Sequence, residues 1–197
     1  MTQDKFNDVI KSLIDYLYSQ ENLYPLIESN ILELLLVVGQ NLYSQDIVEK
    51  IKKLSSDIFF LTGNYKNLSD YARALSCLLI YKFDSGNLAK ITNHYLETNE
   101  KDSVLRKYLI FVSLTINNQP IRQKVIEKAK KEQNLSINRL VDFVENISNY
   151  KDLKVVKDYL KKDKITILFD KERNLKIEQQ IEPIRLEILK KIIEIYK

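Results

Sequence analysis

Three glycines and three prolines are all that punctuate this chain of 197 residues. Sheets joined by tight turns consume both residue types, glycine for positive φ and proline for a preset turn corner. A chain this poor in them is expected to be built from helices with short polar connections. Hydrophobic residues make up 45% and charged residues 29%, which is enough apolar material for a real core beneath a solvated surface.

Hydrophobic spacing places the helices. Phe6, Ile10, Leu13, Ile14 and Leu17 recur at i, i+3, i+4 and predict a helix over 3–19 behind Thr2 as cap. A second helix is predicted from Pro25 to Tyr43, since proline is well tolerated in the first helical turn. Its run Ile31–Val38 is apolar nearly all round, so this helix is expected to be central. A third is predicted over 45–61, with Gly63 as a left-handed C-cap. Further helices are predicted from Asn67 or Ser69 to Phe83, over 88–96, from Asp102 to Asn117–Asn118, from Pro120 to Glu132, over 136–147 and over 150–160.

The texture then changes. Lys164–Phe169 is β-branched and strand-like, Asp170–Asn174 suits a turn, and Leu175–Glu178 alternates apolar with polar, so a β-hairpin is predicted. Pro183–Lys197 reads as a terminal helix with Ile184, Ile188, Leu189, Ile192, Ile193 and Tyr196 on a broad face. The expected fold is all-α: a short right-handed α-solenoid or irregular array of about ten helices, with the small C-terminal β-hairpin and terminal helix appended. Residues 1–160 are expected to form the helical-repeat-like domain and 161–197 the appendage.

Arginine is scarce, six against twenty-five lysines, and four of the six follow a helix-starting residue: Asp70-Tyr71-Ala72-Arg73, Asp102-Ser103-Val104-Leu105-Arg106, Pro120-Ile121-Arg122 and Ser136-Ile137-Asn138-Arg139. Pairing the helices gives segments 3–43, 45–84, 86–117 and 120–148, near the lengths of helical solenoid repeats. The segment from Asp102 to Leu109 resembles the second-helix opening of HEAT-type repeats, where an aspartate or proline precedes a Val-Arg-like pair and then core residues. Pro120-Ile121-Arg122 and Tyr71-Ala72-Arg73-Ala74-Leu75 look similar, so the resemblance spans about 65–148. It departs from that pattern where Arg122 and Arg139 stand one helix apart rather than one repeat apart. The resemblance implies a stack of helices that holds a partner. Arginine at a helix start opposes the local dipole, so each is expected to pair with a carboxylate such as Asp70 or Asp102, or with carbonyls of the preceding segment.

Charge is divided unevenly: residues 1–100 carry nine basic and thirteen acidic residues, and 101–197 carry twenty-two and fourteen. A basic half invites an anionic partner. Lys124, Lys128 and Lys131 fall at i, i+4, i+7 on one predicted helix, and Lys154, Lys157 and Lys161 fall at i, i+3, i+7 on another, again one stripe. Such stripes suit a phosphate backbone, with Tyr150 and Tyr159 near enough to stack on bases. The competing expectation is a solvated face balanced by Glu127, Glu132, Asp152 and Asp158. The strand edge Ile165, Ile167 and Phe169, together with Ile188, Ile192 and Tyr196, forms the candidate interface for a protein partner or for a homo-oligomer through residues 164–197.

Other chemistry is thinly supplied. One histidine, His94, and one cysteine, Cys77, do not make a triad or a zinc set, and Gly39, Gly63 and Gly86 stand apart rather than forming a phosphate loop. No cofactor, metal or catalytic constellation is expected. The carboxylate pairs Asp4/Asp8 and Glu28/Glu33 are expected to be solvated. Cys77 lies in an apolar run and is expected to be a buried thiol; with a leader-free N-terminus this points to the cytoplasm. The longest apolar run, Leu34–Val38, is far short of the ~20 residues of a membrane span. The function expected is a non-enzymatic protein-interaction scaffold or adaptor, with a nucleic-acid-associated module using the basic half as the alternative.

Overall fold

A computed structural model describes residues 2–19, 25–62, 69–101, 103–147 and 182–196. Among them every regular element is helical, and the chain divides into two compact units, Met1–Leu88 and Ala89–Lys197. The hairpin over 164–178, the helix over 150–160 and the domain boundary near 160 fall outside the described residues.

In the first unit, α1 (Gln3–Ser19) and α2 (Pro25–Val37) precede α3 (Gln45–Phe60) and α4 (Asp70–Phe83). Helix α1 lies on α2 and α3, and α4 lies on α2 and α3. The centre is α4, not α2. Every residue from Ala72 to Ile80 is buried, whereas Leu34 is 39% and Val37 52% exposed on α2. The all-round apolar run of α2 is therefore left uncovered along one stripe. The helix also stops at Val37 instead of Tyr43. Gly39 is extended (φ −62°, ψ 137°), a 3₁₀ turn follows at Gln40–Leu42, and Lys82 donates to the freed carbonyls of Leu36 and Val38 at 2.5 and 2.6 Å.

The end of α3 also departs from expectation. The left-handed residue is Leu61 (φ 53°, ψ 43°), two positions before Gly63. Thr62 N–H donates to Asp57 O at 3.0 Å and Leu61 N–H to Ile58 O at 3.3 Å, the paired bonds of a Schellman motif. Ser69 caps α4, its hydroxyl accepting from Ala72 N–H at 3.1 Å.

The second unit holds α5 (Leu88–Glu97), α6 (Ser103–Ser113), α7 (Gln119–Ala129), α8 (Leu135–Asn146) and α9 (Glu182–Tyr196). Helices α6, α7 and α8 pack on one another, and α9 lies on α8. Thr92 of α5 donates to Ser113 of α6 at 2.8 Å, pairing two buried hydroxyls. Asn118 caps α7, its side-chain oxygen accepting from Ile121 N–H. Asn134 caps α8, accepting from Ser136 and Ile137 N–H. Asparagine thus takes the cap role that the sequence placed on Ser136, which is buried instead. Helix α6 ends at Ser113, short of Asn117, because Thr115 and Ile116 turn back onto Val112 and Ser113.

Candidate functional site

The basic residues singled out from sequence divide into those the fold consumes and those it leaves in solvent. Lys124 and Lys131 are exposed on and just beyond α7. Lys128, between them in the stripe, is turned inward. Its ammonium donates to the carbonyls of Tyr95, Leu96 and Thr98 at 2.5, 3.2 and 2.6 Å, closing the C-terminus of α5, and lies 4.9 Å from the Tyr95 ring centroid. Desolvation holds its pKa below the ordinary lysine value. Lys154, Lys157 and Lys161 lie outside the described residues, as do Tyr150, Tyr159, Ile165, Ile167 and Phe169.

The arginines behave as struts where their partners are on view. Arg73 is buried, donating from Nε to Phe59 O at 3.3 Å and pairing with Asp70 at 3.5 Å, the partner expected from sequence. Arg122 donates to Ile116 O at 2.5 Å and sits 5.3 Å from the Tyr196 ring centroid. Arg106 pairs with Glu132 at 2.6 Å. Arg139 is exposed. On α9, Ile188 and Ile192 are fully buried, and Tyr196 is half-buried.

Lys128 and Arg106 meet at a cavity of about 510 Å³ formed by the end of α5, the 98–101 connection, α6 and the end of α7. Among the described residues its wall carries four cationic side chains, Lys101, Arg106, Lys128 and Lys131, against two anionic ones, Glu100 and Glu132. Glu132 accepts from Arg106 on one oxygen and from the Tyr95 hydroxyl, at 3.5 Å, on the other. Burial raises the Tyr95 pKa well above the ordinary phenol value, with the charge of Glu132 adding to the effect. Among the described residues, Arg106 Nε is buried with no acceptor.

Sequence spacing named Arg106, Lys128, Lys131 and Glu132 separately but did not bring them together. The i, i+4, i+7 rule treats α7 as an isolated cylinder, while the pocket is made by α5 approaching it. A second correction concerns Glu28 and Glu33, expected to be solvated. Both are 1% exposed. Glu28 accepts from the Ser69 hydroxyl at 3.3 Å and Glu33 from the Tyr71 hydroxyl at 2.9 Å, so α2 presents its carboxylates to the first turn of α4. Burial pushes the Glu28 carboxyl up to about 7, against the lowering effect of its bonds to Ser69. The polar partners on α4, Ser69 and Tyr71, were the available signal.

Among the described residues no group of histidine, cysteine or carboxylate side chains is placed to hold a metal ion. No helix there is long and apolar enough to cross a membrane. Cys77 is a buried free thiol whose Sγ donates to Arg73 O at 3.4 Å. Comparison with family models, with curated proteins and with solved structures found no match.

Proposed function

We propose that the chain is a non-enzymatic protein-interaction module, a scaffold or adaptor built on stacked helical hairpins in the manner of a short right-handed α-solenoid. The observation that carries this reading is the apolar surface of the first unit. Ile27, Leu34 and Val37 are 40%, 39% and 52% exposed at i, i+7, i+10 on α2, while Val9 and Tyr16 repeat the i, i+7 spacing on α1. Scattered exposed apolar residues are ordinary, but a helical stripe of them is the pattern with which a helix docks against another protein. The occupant proposed is a partner protein presenting an apolar surface to α2. The pairing of α1 with α3 and α2 with α4 supports the stacked-hairpin reading. The free buried thiol supports a reducing, cytoplasmic setting.

The basic half supports a weaker second reading, nucleic-acid association through exposed Lys124 and Lys131. With Lys128 spent on carbonyls, the stripe on α7 is left with two of its three lysines.

One experiment separates these. Immobilised wild-type chain and the Leu34→Glu/Val37→Glu variant are incubated with native-host lysate, and retained protein is quantified. In parallel, wild type and Lys124→Glu/Lys131→Glu are titrated with labelled DNA and RNA at physiological salt. The scaffold reading expects one partner at near-stoichiometric yield, lost with the α2 variant while circular dichroism is unchanged. Retention that ignores the α2 substitutions overturns it. Nucleic-acid binding that survives physiological salt and collapses on charge reversal promotes the second reading.

A further inference from the structure

We propose that the cavity at the end of α5 binds a small phosphate-bearing anion. Its volume of about 510 Å³ lies within the range of small-molecule sites, and the described residues of its wall carry an excess of positive charge. The cations differ in their commitments. Lys128 is fixed against three carbonyls and offsets the negative end of the α5 dipole. Arg106 is held in place by Glu132 through one guanidinium nitrogen, and among the described residues its buried Nε has no acceptor. Lys101 and Lys131 are exposed at the same wall.

That combination is an arginine pre-positioned by a carboxylate, with two lysines free to close over a ligand. Guanidinium donors match the oxygens of phosphate, and lysines supply charge without fixed geometry. Glu132 is already committed to Arg106 and Tyr95, so of the described carboxylates on the wall Glu100 stands against four cations, and the pocket favours anions. The cavity of about 340 Å³ between α1 and α3 lacks this character. There Lys50 is neutralised by Asp15 at 2.8 Å, and no arginine lines it. The inference concerns the second unit and stands independently of the protein-binding surface on α2.

The test titrates full-length ¹⁵N-labelled protein with inorganic pyrophosphate at physiological salt, followed by amide shifts and calorimetry. Saturable binding is expected with Kd of about 0.1–1 mM. Shifts should be confined to the 95–106 and 124–134 segments. Lys101→Glu/Lys131→Glu should weaken binding by about tenfold or more. Lys124→Glu/Lys190→Glu removes equal charge from exposed positions outside the cavity and should leave binding intact. Absence of saturation up to about 10 mM overturns the proposal. Equal weakening by both charge reversals overturns it as well, since that outcome reports the general field of the basic half. Binding of a single-stranded oligonucleotide without pyrophosphate binding overturns it in favour of a nucleic-acid surface.

Discussion

With only three glycines, most helix C-termini in this chain must satisfy their last carbonyls by other means. Cationic side chains from later helices do so: Lys82 for α2, Arg73 for α3 and Lys128 for α5. Each places a positive charge at the negative end of a helix dipole, where it is stabilising. Lys128→Met keeps the aliphatic stem and removes the donor, so it is expected to cost about 1–3 kcal/mol in urea denaturation. Lys124→Met, exposed on the same helix, should cost less than about 0.5 kcal/mol. Equal effects would show that Lys128 is solvated. Glu28 gives a pH dependence of definite sign. Its folded pKa of about 7 lies above its ordinary 4.5, so the folded state holds the proton more tightly. The stabilisation is full below the lower value and is lost as pH rises through the upper one, an effect on the order of 3 kcal/mol at most. Wild type should therefore lose stability relative to Glu28→Gln between about pH 5 and about pH 8. Parallel stability profiles would refute the burial of an ionisable Glu28.

At the scale of the element, α3 shows how a helix stops without glycine. Leu61 occupies the left-handed region that costs an L-residue roughly 1–2 kcal/mol, and the Schellman bonds from Leu61 and Thr62 hold it there. Leu61→Gly relieves that strain at the cost of unfolded-state entropy and some side-chain contact. It should leave the thermal midpoint unchanged or raised, whereas Leu61→Val should lower stability by about 1 kcal/mol or more, because branching at Cβ worsens the same clash. A Leu61→Gly variant that is markedly less stable than the Val variant would mean the side chain, not the backbone, sets the cap. Helix α2 carries the complementary lesson. Its exposed stripe predicts that Leu34→Glu/Val37→Glu folds normally, with helicity and thermal midpoint within a few degrees of wild type; a large loss would place those side chains in a core.

At the scale of the whole molecule, the first unit has its own core. Ile14, Leu32, Leu35, Ile51, Leu54 and Phe59 are fully buried around the equally buried α4. Residues 1–88 alone are therefore expected to give a helical far-ultraviolet spectrum and a cooperative urea transition, as a domain with its own core should. A fragment that is unfolded, or melts without cooperativity, would refute that autonomy. The charge asymmetry of the chain is likewise less available than its totals suggest. In the second half, Arg106, Lys128 and Arg122 are bound to protein groups, and Lys130 pairs with Glu145 at 2.6 Å. The basic character open to a ligand among the described residues of that half is concentrated in Lys101, Lys124, Lys131 and Lys190.

Most of what is local was legible in the sequence. Glycine and proline scarcity gave the helical class, and the 3.6-residue period with Ser69, Pro25 and Pro120 located the starts of those helices to within a residue or two, because caps and periodicity act over one turn. The Arg73–Asp70 pair was legible for the same reason, three residues apart on one helix. What depends on approach between helices was not. The sequence could not say that α4 rather than α2 is central, that Lys128 leaves its stripe for carbonyls 30 to 33 residues upstream, or that Arg106 and Glu132, 26 residues apart, meet at a pocket wall. Nor did it reveal that Glu28 lies buried against Ser69, 41 residues away. An apolar face or a charge has the same local signature whether solvent, a carbonyl or a carboxylate covers it. Only the packing of distant helices determines which of these it meets, and with it which side chains remain for a partner.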